Sequence, residues 1–167
     1  VEMIEAVGHE NLPRYFAKLE SLLARGGHAV IQAITVPERN YARYLRSTDW
    51  IQAHIFPGAV CPSISAMLDA MAKGSRLVLR QLEDIGPHYA RDLANWRDRF
   101  LSAWPRLEAL GFDDRFKRLW TYYLAYCQAG FSQRKLGDVQ MILSRTAETG
   151  LVHTPQTSAS VAAGGRS

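Results

Sequence analysis

The sequence has few of the features that staple or cage a small protein. Only two cysteines occur in its 167 residues, Cys61 and Cys127. They have neither metal-ligand spacing nor disulfide density, which excludes a disulfide-stapled scaffold and a zinc ribbon. That usage fits a reducing, cytoplasmic compartment. His9, His28, His54, His88 and His153 form no metal-ligand pattern and read as structural or surface residues. No apolar run reaches the ~18–20 residues that a membrane span needs. No secretory h-region precedes a cleavage site, so any membrane contact is expected to be peripheral. No internal repeat is present. There is also no GxGxxG and no P-loop, so the Gly-rich turn that faces a nucleotide in an α/β cofactor domain is missing.

What is present is ordinary for a globular chain with a real core: 47% hydrophobic and 22% charged residues. Twenty Lys plus Arg stand against 16 Asp plus Glu, giving net charge +4 and a pI of 9.3. The excess is compatible with an anionic partner such as a phospholipid surface or nucleic acid, and equally with a basic, uninvolved surface.

Along the chain, "NLPRYFAKLESLLARGG" predicts an amphipathic helix. Asn11 would cap it, Pro13 fits its first turn, and Gly26-Gly27 end it. Leu12, Tyr15, Phe16, Leu19, Leu22 and Leu23 form its apolar face. "HAVIQAITV" is β-branched and apolar on both faces, as a central parallel strand would be. A strand end, a helix and a buried strand make a βαβ crossover and point to a doubly wound α/β sheet. "PERNYARYLRSTDWIQAHIFPGAVCPS" reads as a short helix plus loop inserted beyond that strand. Ser63 would cap the next helix, "SISAMLDAMAKG". "RLVLRQLED" and "DVQMILSRT" are further strands, so segments 28–36, 76–84 and 138–146 are expected in one sheet. Between them lie a helix starting near His88, with the stripe Tyr89, Leu93, Trp96, Phe100 and Trp104, and a long helix through "DDRFKRLWTYYLAYCQAGFSQRKLG". The small, polar tail 151–167 is expected to be disordered.

The opening "VEMIEAVGHE" sets a carboxylate, Glu5, among apolar residues. By itself it is either a degenerate first helix or the end of a buried strand. Four segments decide between them: "VEMIEAVGHE"; "AITVPERNY" with "IFPGAVCPSIS"; "LEDIGPHYARDLANWRDRF"; and "RLWTYYLAYCQAGF" with "DVQMILSR". In this order and spacing they resemble the C-terminal half of the cyclopropane-fatty-acyl-phospholipid synthases and mycolic acid cyclopropane synthases. The resemblance covers most of residues 1–150 and implies an S-adenosylmethionine-dependent methyltransferase fold, Rossmann-like, with inserted helices. It makes "VEM" a strand end, with Glu5 just past it where such sheets place their chemistry. In that frame the chain reads as truncated, and the cofactor-binding residues are expected upstream of Val1.

The family adds a methylene bridge across a cis double bond of an acyl chain. The resemblance therefore implies S-adenosylmethionine as methyl donor and a base in a dry pocket, with bicarbonate held by protein groups as that base. Carried over by position, Glu5 and Tyr89 take catalytic roles, and Glu5, Gln32, Ile34 (through its backbone) and Tyr89 bind the anion. Gln32 stands where the family has His; its amide can donate a hydrogen bond to an anion but cannot titrate near neutral pH. Tyr122, Tyr123, Tyr126 and Phe131 are candidates for the acyl channel, where their π faces would meet a cation. Each has a structural reading as well. Glu5 could cap a helix or pair with an Arg, Tyr89 could be a core aromatic, and the four aromatics could simply pack a long helix.

The implied partner is the acyl chains of phospholipids at a membrane surface, reached from the cytoplasmic side; the homodimer is left open. A different class of reading is a non-catalytic lipid- or partner-binding remnant without the cofactor site. A nucleic-acid-binding domain is disfavoured, because no such motif occurs and the basic residues are interleaved with acids.

Overall fold

The computed structural model describes residues 3–145. The expected strand end at residues 1–3 lies, apart from Met3, outside the described residues, and so does the expected tail. Two 3₁₀ turns, Ile4–Ala6 and His9–Asn11, lead into α1 (Leu12–Leu22). β1 (His28–Thr35), α2 (Glu38–Tyr44), α3 (Trp50–His54) and α4 (Ile64–Gly74) follow, then β2 (Leu77–Asp84), α5 (Gly86–Ser102), α6 (Trp104–Ala109), α7 (Asp114–Ser132) and β3 (Gly137–Arg145).

The three strands form one sheet in the order β1-β3-β2. β3 runs antiparallel to both neighbours, pairing His28 with Ser144 through Thr35 with Gly137 on one side and Leu77 with Arg145 on the other. This corrects the expectation that β1 is a central parallel strand. Its apolar second face suggested burial on both sides, but Val30 is 64% exposed there, and the observed hydrogen-bonded partner is an antiparallel strand from the far end of the sequence. A bulge between Leu79 and Gln81 lets Arg80 reach Ser144, Nε donating to Oγ at 2.6 Å.

Strand alternation sorts the two faces. Ala29, Ile31, Ala33, Val139, Met141 and Leu143 pack with Leu12 and Phe16 of α1 and with Met67, Ala70 and Met71 of α4 into the main core. On the opposite face, Ile34 meets Leu93 of α5 and Leu124 and Phe131 of α7. Helices thus lie on both faces of the sheet, as a doubly wound α/β fold requires, with the second face covered only near Ile34.

Local chemistry sets the element ends. Ser63 Oγ accepts from the amide of Ala66 at 3.1 Å and starts α4. Asp49 and Gln52 form a capping box on α3. Asn11 does not cap α1 with its side chain. The chain enters through a 3₁₀ turn with Asn11 already in a helical conformation, and its side chain donates back to the Val7 carbonyl at 3.0 Å. Leu22 lies off the buried stripe of α1 and is exposed. The helix from Gly86 does not run through Trp104: it ends at Ser102, and Pro105 falls in the first turn of α6.

Candidate functional site

Glu5 lies on the first 3₁₀ turn and is nearly buried. Its Oε1 accepts the amide hydrogen of Ile34 at 2.7 Å, and its backbone carbonyl accepts from Val60 at 2.8 Å. The carboxylate thus satisfies a backbone donor of β1 that does not point at β3, and it ties the opening turn to that strand. Two of the residues singled out in the sequence, Glu5 and Ile34, are brought together in this way.

Gln32 and Tyr89 are also brought together, in a second group. Gln32 Nε2 donates to the Tyr89 hydroxyl and to Asp138 Oδ2, each at 3.0 Å, and Gln140 Nε2 reaches Gln32 Oε1 at 3.4 Å. The Tyr89 ring packs on Phe131 with centroids 5.0 Å apart. Asp138 is fully buried at the start of β3 and directly opposite Ile34 in the register. Sequence reasoning did not single it out. Its one signal was an acid at the head of the otherwise apolar strand "GDVQMILSR".

Beside these groups lies a cavity of about 830 Å³. α7 supplies one wall through Tyr123, Tyr126, Cys127 and Phe131, spaced so that they fall on one helical face. Glu5 and Ile34 line it from the sheet side, and Phe56 and Tyr44 from the segment between β1 and α4. Tyr123, Tyr126 and Phe131, three of the acyl-channel candidates, lie on this wall. Tyr122 points elsewhere: it does not line the cavity and packs on Trp50, ring centroids 4.5 Å apart. Gln32 and Tyr89 lie behind the wall, Tyr89 meeting it through Phe131.

Both cysteines face this cavity, which the sequence did not indicate. Burial pushes the Cys61 thiol up to about 12, with the Glu5 charge adding to the effect. Burial likewise raises Cys127 to about 12, helped by Asp49. The Tyr44 hydroxyl accepts from the Cys61 amide at 3.1 Å, and burial raises its pKa too. Protonated thiols and phenols add no charge of their own to the walls at neutral pH, where the charged lining groups are Glu5, Asp49 and Lys135. His9 is held by the Tyr41 hydroxyl at 2.9 Å. Among the described residues no group of three or more His, Cys, Asp or Glu could hold a metal ion.

The comparisons with known proteins agree with this architecture. The family model described as "Mycolic acid cyclopropane synthetase" matches residues 1–141, and the chain belongs to that family. It is 44% identical over 145 residues to tuberculostearic acid methyltransferase UfaA1 of Mycobacterium tuberculosis, covering 87% of this chain and 34% of the relative. It is 33% identical over 151 residues to the cyclopropane-fatty-acyl-phospholipid synthase of Escherichia coli K12, covering 90% of this chain and 38% of that one. The chain therefore spans little more than a third of the length of these relatives. The cyclopropane synthase MmaA2 of Mycobacterium tuberculosis shares the fold at a TM-score of 0.76 and 23% identity, over 87% of this chain and 53% of that one. Mycolic acid cyclopropane synthase CmaA1, solved with SAH and CTAB, does so at 0.73 and 23%, over 86% and 53%. The fold is that of the S-adenosylmethionine-dependent methyltransferases.

Proposed function

We propose that this chain forms the acyl-binding side of an S-adenosylmethionine-dependent methyltransferase, which builds a cyclopropane on a cis double bond of phospholipid acyl chains at the cytoplasmic face of a membrane. The observation that carries this reading is the cavity: about 830 Å³, walled by aromatic side chains, with one nearly buried carboxylate, Glu5, on its surface. Its volume lies within the ordinary range for small-ligand sites, about 300–1,000 Å³. Membership of the family supports the reaction class.

When bound, S-adenosylmethionine supplies an electrophilic methyl group. The described residues include no Gly-rich turn joining a strand to a helix N-terminus, so they do not make its cradle, and no step is routed through it. Bicarbonate does not fit the groups as they are arranged. The Ile34 amide is already engaged by Glu5, and the Gln32 amide by Tyr89 and Asp138. Glu5 and Ile34 hold each other, as do Gln32 and Tyr89 in a separate group, and a second anion beside Glu5 would meet like charge.

The chain's own contribution follows from its residues. The apolar walls bind the acyl chain and exclude water, which would otherwise trap a cation on the alkene carbons. The faces of Tyr123, Tyr126 and Phe131 stabilise that cation without bonding to it. Glu5, fixed at Oε1 by the Ile34 amide, takes up the proton that must leave as the ring closes. Tyr89 and Gln32 act one layer back, holding Phe131 and the end of β1 in place.

The test is Glu5→Gln in a protein that joins this chain to a cofactor-binding half, assayed with labelled S-adenosylmethionine and vesicles of cis-unsaturated phospholipid. A Gln carbonyl still accepts from the Ile34 amide, so the turn is kept while the base is lost. Turnover should fall by about 10²–10⁴ with little change in KM. Wild-type turnover in the variant would remove Glu5 from the chemistry. Proton NMR of the lipid product separates the ring from a methyl-branched alkene, which proton loss from a neighbouring chain carbon would give.

A further inference from the structure

We propose that the face carrying α2 and the mouth of the cavity is a docking surface for an anionic lipid bilayer, which lays the cavity opening against the membrane. The inference rests on the functional reading above and adds where, and by what chemistry, the lipid is met.

The first observation is a stripe of charge. Arg39, Arg43 and Arg46 are spaced four and three residues apart, so they share one side of a helical turn. Backbone bonds from Leu45 to Tyr41 and from Arg46 to Arg43 carry that turn past the end of α2. All three arginines are exposed, and among the described residues none has a carboxylate partner. The opposite side of α2 faces inward: Tyr41 is buried, and Tyr44 lines the cavity. The acids of this segment are turned to other work. Glu38 Oε1 accepts from the Ser65 amide at 3.4 Å, and Asp49 caps α3 with its side chain accepting from Gln52 at 2.8 Å. The stripe therefore presents net positive charge outward.

The second observation is an aromatic rim built on Trp50, four residues after Arg46 in the chain. Trp50 of α3 packs edge-on against Tyr122 at 4.5 Å and meets Tyr126 at 6.1 Å. Tyr122 is 50% exposed, Phe56 51% and Tyr126 38%, and Leu45 shows at the end of the arginine turn. Phe56 and Tyr126 also line the cavity, so the rim is its mouth.

The two features together select the partner. Arginines near an anionic bilayer surface each contribute about fivefold to binding. Trp and Tyr settle at the headgroup level, where one end of the ring is apolar and the other wet. A bilayer satisfies both the stripe and the rim. An acidic protein surface satisfies the stripe; a bilayer also supplies the acyl chains that the cavity would take. Docked on a membrane, the mouth faces the lipids whose acyl chains the cavity would take.

The experiment is flotation of the chain with vesicles of phosphatidylglycerol and phosphatidylcholine, against pure phosphatidylcholine. The wild type should bind the anionic vesicles more tightly, with the preference falling as salt rises. The triple substitution Arg39→Gln, Arg43→Gln, Arg46→Gln should cut binding about a hundredfold while the melting temperature holds. Tyr122→Ala should weaken binding to both kinds of vesicle. Anionic-vesicle binding unchanged in the triple variant would overturn the proposal, as would a wild type that floats with neither vesicle. Loss of binding to polyglutamate with vesicle binding intact would also overturn it, assigning the stripe to an acidic protein. Titration with a monomeric cis-unsaturated fatty acid separates this proposal from the functional reading. Saturable fatty-acid binding without vesicle binding sinks the docking surface alone. Arginine-dependent vesicle binding without fatty-acid binding supports docking and sinks the acyl-site reading.

Discussion

The two faces of the sheet are built for different ends. On the face covered by α1 and α4, the strands present Ala29, Ile31, Ala33, Val139, Met141 and Leu143, and the helices meet them with side chains that are almost wholly buried. On the face toward α5 and α7 the same strands present Val30, Gln32, Ile34, Asp138 and Gln140, and only the end near Ile34 is covered by those helices. The cavity lies on this second side, between α7 and the segment carrying α2 and α3. A face filled to crystal-like density has no room for a ligand. A face with polar groups tied to one another and space left beside them does.

The largest expected effect tests that contrast directly. Phe16 is completely buried in the α1–α4 core, so Phe16→Ala should cost about 3–5 kcal/mol, read by denaturant unfolding. Phe56→Ala at the half-exposed rim should cost no more than about 0.5 kcal/mol, yet weaken binding of an unsaturated fatty acid. Equal stability losses at the two sites would erase the distinction between a packed face and a binding face.

A smaller effect sharpens it. α1 and α4 cross so closely that a Cβ on Gly74 would sit 2.1 Å from the Pro13 carbonyl oxygen, which is backbone and cannot swing aside. Gly74→Ala should therefore cost about 1–3 kcal/mol through displaced helices. Gly130 on the cavity side is also tight, but its neighbour is the end of the Leu136 side chain, at 3.0 Å. That side chain can turn, and Ala favours the interior of α7, so Gly130→Ala should be close to neutral. Thermal melts of the two variants make the comparison.

The packed face was the more legible one in the sequence. β-branched, apolar runs placed β1, β2 and β3, apolar stripes at helical spacing placed α1 and α5, and Ser63 announced the start of α4. The direction of β1 was not legible, because its partner β3 lies about a hundred residues away and an apolar strand carries no sign of which way its neighbour runs. On the other face, Tyr122, Tyr123, Tyr126 and Phe131 were all candidates, and the sequence did not separate Tyr122, which stacks on Tyr126 four residues on but does not line the cavity. Glu5, Ile34, Gln32 and Tyr89 came from resemblance to a family, since an isolated acid or amide does not reveal its partner. Asp138 shows the same limit: its meaning lies in Gln32, more than a hundred residues earlier.

The last effect, absent at neutral pH, concerns the two thiols on the cavity wall. Burial raises Cys61 and Cys127 to about 12, against about 8.5 for an exposed thiol. At neutral pH both are protonated in the folded and the unfolded chain, so they contribute no pH dependence there. Above the unfolded value the unfolded chain releases these protons while the folded chain keeps them. Stability should thus fall as pH rises from about 9 toward about 12, and the fall should be shallower in the double variant Cys61→Ala, Cys127→Ala. Lysines and tyrosines titrate in the same window, and subtracting the double variant's curve isolates the thiols. Reactivity reports the same groups at milder pH. Alkylation by iodoacetamide at pH 8 should be about a thousandfold slower in the folded chain than in denaturant, because so little thiolate is present. An unsaturated fatty acid in the cavity should slow it further. Thiols that react at the unfolded rate, or that ignore the fatty acid, would mean that the wall of the cavity is open to water and that the second face is merely loose.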